Sequence, residues 1–256
     1  MNQLLLLYVA IVCYAAAGIT AAFTQATKYQ KLAWLNMTLS FIGIISQFLF
    51  TIIRSKANGF LPFASRFEAP VLFAFAIQIT GLIFYTIKRY NLVKTVTDGF
   101  SVILIGVALF AIGFTPGKNL NPILNSPFFA FHILISFVGY GVIITGLAWS
   151  IVALFNNQMS NDTSIPRRIA ITSLLLLGTG ILIGSLWADN SWGRYWSWDP
   201  KESWALFTWA ILMLYVHIAQ RSNRAWLTVL FFGLSTIAMI FTFIGINLLR
   251  LGLHRY

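Results

Sequence analysis

Apolar residues in this chain come in long unbroken runs, not in the mixed spacing of a helix or strand with one wet face. Eight runs stand out, roughly Leu4–Phe23, Leu32–Ile53, Val71–Ile87, Phe100–Phe114, Phe128–Phe155, Ile169–Leu186, Trp204–Ala219 and Ala225–Leu249. About 20 apolar residues in a helix cross a hydrocarbon core, and a helix satisfies its own backbone there. The pattern therefore predicts an all-α polytopic integral membrane bundle of about eight transmembrane helices. The fifth run is long enough to tilt or to project from the bilayer. No internal repeat is evident and no linker is long enough to separate a pair of domains, so residues 1–256 read as a single membrane domain.

Composition narrows this further. With 59% hydrophobic and 9% charged residues and a mean hydropathy of +0.81, the chain has too few charges to cover a soluble surface. The formal charge of +11 is scattered in ones and twos between apolar runs, so it reads as membrane topology and not as a nucleic-acid patch. The single cysteine, Cys13, lies within the first run and offers neither a disulfide nor a CxxC pair. That run lacks a basic leader before it, and Ile11-Val12 stand where a lipoprotein cleavage site needs small residues, so the first span is expected to be retained. Eight crossings place both termini on one side. The loops opposite them hold nine basic residues against eight on the terminal side, a weak lean that puts the termini outside.

One stretch breaks the monotony. Between Trp187 and Trp209 lie six of the nine tryptophans and three of the six acidic residues. An interfacial aromatic belt accounts for one or two tryptophans per crossing. A dense block in one external loop, at about 187–204, points instead to a shelf for a large planar apolar ligand, since each indole offers a rigid face of roughly 150–250 Å². At its end Asp199, Pro200 and Glu202 have the spacing of a capping box, with Asp199 as N-cap and proline at the first helical position. The order Trp192-Gly193-x-x-Trp196-x-Trp198-Asp199-x-x-Glu202 resembles the tryptophan-rich WWD signature of haem-handling proteins of cytochrome c biogenesis.

Three histidines complete the candidate chemistry. His132 lies near the outer end of the fifth run, and His254 just beyond the last. Both are expected at the depth of the tryptophan block, where two imidazoles flanking an aromatic plate form the axial pair that porphyrin iron takes. His217 sits 13 residues into the seventh run, about 20 Å along the axis, well inside the membrane. An ionisable group there is a functional candidate. The chain has no second histidine at that depth, so a bis-histidine site there needs a ligand from another subunit.

Taken over most of its length the chain resembles the CcsA/ResC-type family of membrane subunits of the system II cytochrome c synthase. The likeness is firmest over Phe128–Tyr140 with His132, Trp192–Arg221 with the signature and His217, and Asn247–Tyr256 with His254. Gly59, Phe60, Pro62, Phe63, Phe67 and Glu68 also resemble a loop of that family, although Ala64-Ser65-Arg66 stands where the family carries a polar Ser-Asn pair. The resemblance implies haem b as substrate and ligand on the outer face. His132 and His254 would be its axial ligands, Trp192, Trp196 and Trp198 its platform, and Arg194 a partner for its propionates. It implies a second, intramembrane site in which His217 pairs with a histidine of a CcsB/ResB-type subunit. The implied activity is haem handling and delivery for thioether attachment to the Cys-x-x-Cys-His of an apocytochrome c, with a thioredoxin-like thiol reductant nearby. No side chain reads as a nucleophile or an acid–base dyad, so no catalytic residue is assigned and the contribution is one of positioning. The implied location is a bacterial cytoplasmic membrane, ahead of a thylakoid. Rival readings are a CcmC-like protein of system I, a haem transporter and a b-type electron carrier.

Overall fold

The computed structural model describes residues 3–27, 29, 31–63, 65–114, 122–156, 159, 162, 164–219 and 225–249. Every regular element among them is helical. They fall into two compact units, Met1–Leu120 and Asn121–Tyr256, each built on four long helices.

The first unit comprises α1 (Gln3–Thr27), α2 (Leu32–Asn58), α3 (Glu68–Lys88) and α4 (Asn91–Gly106), the last running on as a π-helical turn over Val107–Ile112. The 25 residues of α1 reach about 37 Å, more than a hydrocarbon core of roughly 30 Å. Polarity here is turned inside out. α2 buries Asn36, Ser40, Gln47 and Arg54 while Phe41, Ile45 and Phe48 are exposed. Lipid accepts the exposed apolar face but offers no hydrogen bonds, so the polar side chains turn inward and pair. Tyr14 Oη donates to Gln47 Oε1 at 2.8 Å, and Gln47 Nε2 donates to the Val71 carbonyl at 2.6 Å. Lys94 and Asp98, one turn apart on α4, form a fully buried ion pair, and Gln78 Nε2 donates to the same Asp98 oxygen at 3.0 Å. Between α2 and α3, Glu68 Oε1 accepts from Arg54 Nε at 2.8 Å and from Asn58 Nδ2 at 2.9 Å. Ser65 and Glu68 cap each other, which closes the loop that follows Gly59.

The second unit comprises α5 (Pro127–Leu154), α6 (Ser164–Trp192), α7 (Pro200–Ile218) and α8 (Ala225–Ile240). α8 passes through a π-helical turn, Phe241–Gly245, into Ile246–Leu249. α5 packs on α6 and α8, and α7 packs on the same two, so the four close into a ring.

Among the described residues seven helices are long and apolar enough to cross a membrane, and the chain is an integral membrane protein. The remaining expected span, the seventh run on α7, has the length but not the composition, because Lys201, Glu202 and His217 dilute its 19 residues. Two boundaries depart farthest from the apolar runs. α4 starts at Asn91 instead of Phe100, because the pairing of Lys94 with Asp98 lets a charged turn be buried. α6 runs on to Trp192, because Trp187 and Trp192 are packed as helix side chains and do not belong to the loop.

Candidate functional site

The tryptophan block divides into anchors and presented rings. Trp187 is buried, donates its Nε1–H to the Ile123 carbonyl at 3.0 Å, and packs against Phe129 with centroids 4.7 Å apart. This fixes the first turn of α5 against the last turns of α6. Trp192, half-buried, meets Trp187 edge-on at 4.8 Å. Farther along, Trp204 packs on Phe241 at 4.4 Å, and Trp209 Nε1 donates to the Leu174 carbonyl at 3.0 Å. Trp187, Trp204 and Trp209 thus hold the ring of helices together. Only Trp196 and Trp198 lie in the connecting loop.

That loop is short and rigidly held. α6 ends at Gly193, whose φ of +69° and N–H bond to the Asp189 carbonyl at 2.7 Å make the left-handed helix stop that glycine alone adopts without strain. Trp198 also adopts a left-handed backbone, φ +56°, which costs a residue with a Cβ roughly 1–3 kcal/mol. Glu202 holds it there. Its carboxylate accepts from the Ser197 N–H at 2.9 Å and the Asp199 N–H at 3.2 Å, the amides on either side of Trp198. The Ser197 hydroxyl adds a third bond, and Ser203 Oγ donates to the Trp198 carbonyl at 3.3 Å. Asp199, Pro200 and Glu202 form the capping box expected from their spacing, with Lys201 N–H donating to Asp199 Oδ1 at 2.9 Å. The result is a Trp198 ring that is 71% exposed on a backbone that cannot easily move. Trp196 stands at 90° to it with centroids 5.8 Å apart, so the pair forms a corner and not one continuous plate. A planar ligand lying on one ring has its edge against the other.

His132 lies on α5, three residues after Phe129. Its Nδ1 bonds the Gly180 carbonyl of α6 at 2.7 Å. A carbonyl only accepts, so Nδ1 carries a proton, and Nε2 is the ring nitrogen that can hold a lone pair. Gly184, next to the imidazole, precedes Trp192 by eight residues, about 12 Å of helix. The imidazole and the tryptophan corner therefore belong to the same end of this unit, at different depths. Arg194 and Tyr195 are exposed beside the corner. Lys201, in the first turn of α7, is half-buried. Burial pushes its amine below the usual lysine range, and Asp199 draws it partway back.

His217 lies elsewhere, on the last turn of α7. Its Nδ1 donates to the Met213 carbonyl at 2.8 Å and its ring is exposed on the helix surface. His254 lies outside the described residues, as do Arg221 and Tyr256. Two features escaped the sequence reading. The hold of Glu202 on Ser197 gave no signal beyond the capping spacing. The Gly180–Gly184 pair did give one, since glycines four apart in an apolar helix mark close helix approach.

A family model described as Cytochrome C assembly protein matches residues 4–254. A curated relative, the cytochrome c biogenesis protein CcsA of Synechococcus sp. (strain CC9605), is 27% identical over 83% of this chain and 84% of its own length. The protein of the same name from Chlamydomonas reinhardtii is 26% identical over 81% of this chain, which spans only 64% of that relative. Among solved structures the cytochrome c heme lyase CcmF superposes with a TM-score of 0.73, at 17% identity, over 95% of this chain and 47% of that one. At that identity the likeness speaks to the fold.

Proposed function

The chain belongs to the cytochrome c assembly protein family, and from that premise we propose that it holds haem at the outer face of the membrane for covalent attachment to apocytochrome c. The observation that carries the reading is the Trp196–Trp198 corner, whose strained and exposed backbone is fixed by Glu202. Strain retained at an exposed aromatic is the mark of a ligand-presenting site. The ligand is haem b. His132 and His254 bind its iron, Trp192, Trp196 and Trp198 bear its macrocycle, and Arg194 meets its propionates by charge-assisted bonds.

Attachment adds each acceptor thiol S–H across a haem vinyl: sulfur bonds one vinyl carbon, the proton ends on the other, and no electrons are left over. A thioredoxin-like reductant keeps those thiols reduced. This chain's role is to orient, acting as one subunit of a synthase. Iron stays on His132 and His254 until the histidine of the acceptor's Cys-x-x-Cys-His displaces one of them. A CcsB/ResB-type subunit supplies the histidine that pairs with His217 at a second site. The membrane is a bacterial cytoplasmic membrane, with both termini and the tryptophan loop outside.

The test is the purified complex carrying His132→Gly or His254→Gly. Each variant should lose haem and holocytochrome yield, and added imidazole should restore some of both by filling the vacated ligand position. Normal haem content and normal product in both variants would remove the axial assignment.

A further inference from the structure

We infer that Gly180 and Gly184 form a notch on α6 that fixes the orientation and protonation of the His132 imidazole, making Gly184 a positioning residue for the iron ligand. The inference rests on the reading of His132 as a haem ligand and goes one layer outward from it.

Glycine inside a helix costs about 1 kcal/mol relative to alanine, so two of them one turn apart in α6 need a reason. The geometry supplies it. His132 and Ser136 are also one turn apart, on the face of α5 that meets this pair. A Cβ built on Gly184 would lie 2.6 Å from His132 Nδ1 and 2.8 Å from its Cε1. One on Gly180 would lie 2.5 Å from Ser136 Oγ and 3.4 Å from the Ser136 nitrogen. A methyl at Gly184 would displace the imidazole, and one at Gly180 would displace the Ser136 hydroxyl. The bare backbone at Gly184 gives the ring its berth, and that at Gly180 lets α5 approach until the Gly180 carbonyl reaches Nδ1 at 2.7 Å. That carbonyl also closes the helical turn, so its position is set by α6 and not by a mobile side chain.

Two consequences follow for a ligand. The Nδ1 proton is locked, so only Nε2 can meet iron, and the hydrogen bond raises the basicity of Nε2. The ring plane is held as well, between α6 and the turn of α5 that Trp187 anchors through Phe129.

The experiment compares Gly184→Ala, His132→Gly, the double variant and Gly233→Ala, all purified as the complex. Gly233 is the control, since a Cβ built there meets nothing within 4 Å. The readouts are haem per protein, the visible spectrum, thermal unfolding and the response to imidazole. Gly184→Ala should lower haem affinity about 10-fold or more, the scale on which outer-shell partners of metal ligands act. Any remaining haem should shift from a low-spin toward a high-spin spectrum. Gly233→Ala should match the parent. Should Gly184→Ala prove unstable, the double variant still decides, because the added methyl then has no imidazole to strike and thermal stability should recover.

Three results would overturn the inference. If His132→Gly keeps its haem and spectrum, the ligand reading itself fails and this falls with it. If His132→Gly loses haem and regains it with imidazole while Gly184→Ala matches Gly233→Ala, only the notch is wrong. If Gly184→Ala is destabilised equally with and without the imidazole, the glycine serves helix packing alone.

Discussion

At the scale of residues, the unusual feature is an exposed tryptophan in a left-handed backbone, held by a carboxylate that also caps a helix. Glu202 and Asp199 share that cap, but the bonds divide unequally. Asp199 caps α7, a task that asparagine performs equally well. Glu202 accepts the amides on both sides of Trp198. Glu202→Ala should therefore cost about 1–3 kcal/mol by leaving those donors unmet, raise protease cleavage within 193–199 and lower holocytochrome yield, while Asp199→Asn stays near the parent on all three. The reverse ranking would mean that Asp199 acts on the ligand or the acceptor. Lys201, in the first turn of α7, makes stability depend on pH with a definite sign. Its amine is lowered in the fold by burial, so the unfolded chain binds the extra proton between that lowered value and the ordinary one of about 10.4. Stability then rises with pH across that window. The difference in melting temperature between the parent and Lys201→Met should narrow as pH is raised from about 8 to about 10. A constant difference would show that the amine is not desolvated.

At the scale of elements, the apolar runs made most of the helices legible, because length and apolarity are what a bilayer demands of a span. Their ends were less legible for a physical reason: charge and tryptophan are counted as loop when read one residue at a time, but pairing changes their status. Lys94 and Asp98 add two turns to α4 because each neutralises the other, and Trp187 extends α6 because its N–H finds the Ile123 carbonyl. The capping box of α7 was legible because it is local. The left-handed Trp198 was not, since nothing in a tryptophan predicts it. The buried pair on α4 also sets up a clean measurement. Removing one member leaves a charge buried without its counterion, at about 3–5 kcal/mol, whereas replacing both with apolar groups is far milder. Asp98→Asn and Lys94→Met should each lower the melting temperature in detergent sharply, and the double variant should be more stable than the sum of the two implies. Additive losses would show that the charges act independently.

At the scale of the whole molecule, the surface of α7 bears on what the chain assembles with. Phe207, Ala210, Leu214 and His217 are all exposed and recur at intervals of three and four, so they lie on one stripe of the helix. Three of the four suit lipid. The imidazole does not: its Nδ1–H donates to the Met213 carbonyl, which leaves the Nε2 lone pair on an otherwise apolar stripe, where an unmet polar group is costly. On the proposed function, a neighbouring helix that carries a histidine, with haem iron between the two, would satisfy it. The chain expressed alone should then bind no more than the outer haem, and the complex with a CcsB/ResB-type subunit should bind a second. His217→Ala should remove only that second haem and reduce product yield, with insertion and the spectrum of the outer haem unchanged. Phe207→Ala, on the same stripe but ten residues away, should weaken subunit association without altering the iron spectrum of the complexes that remain. Two bis-histidine haems in this subunit purified without a partner would refute the shared site, because its described residues offer iron no second imidazole near His217.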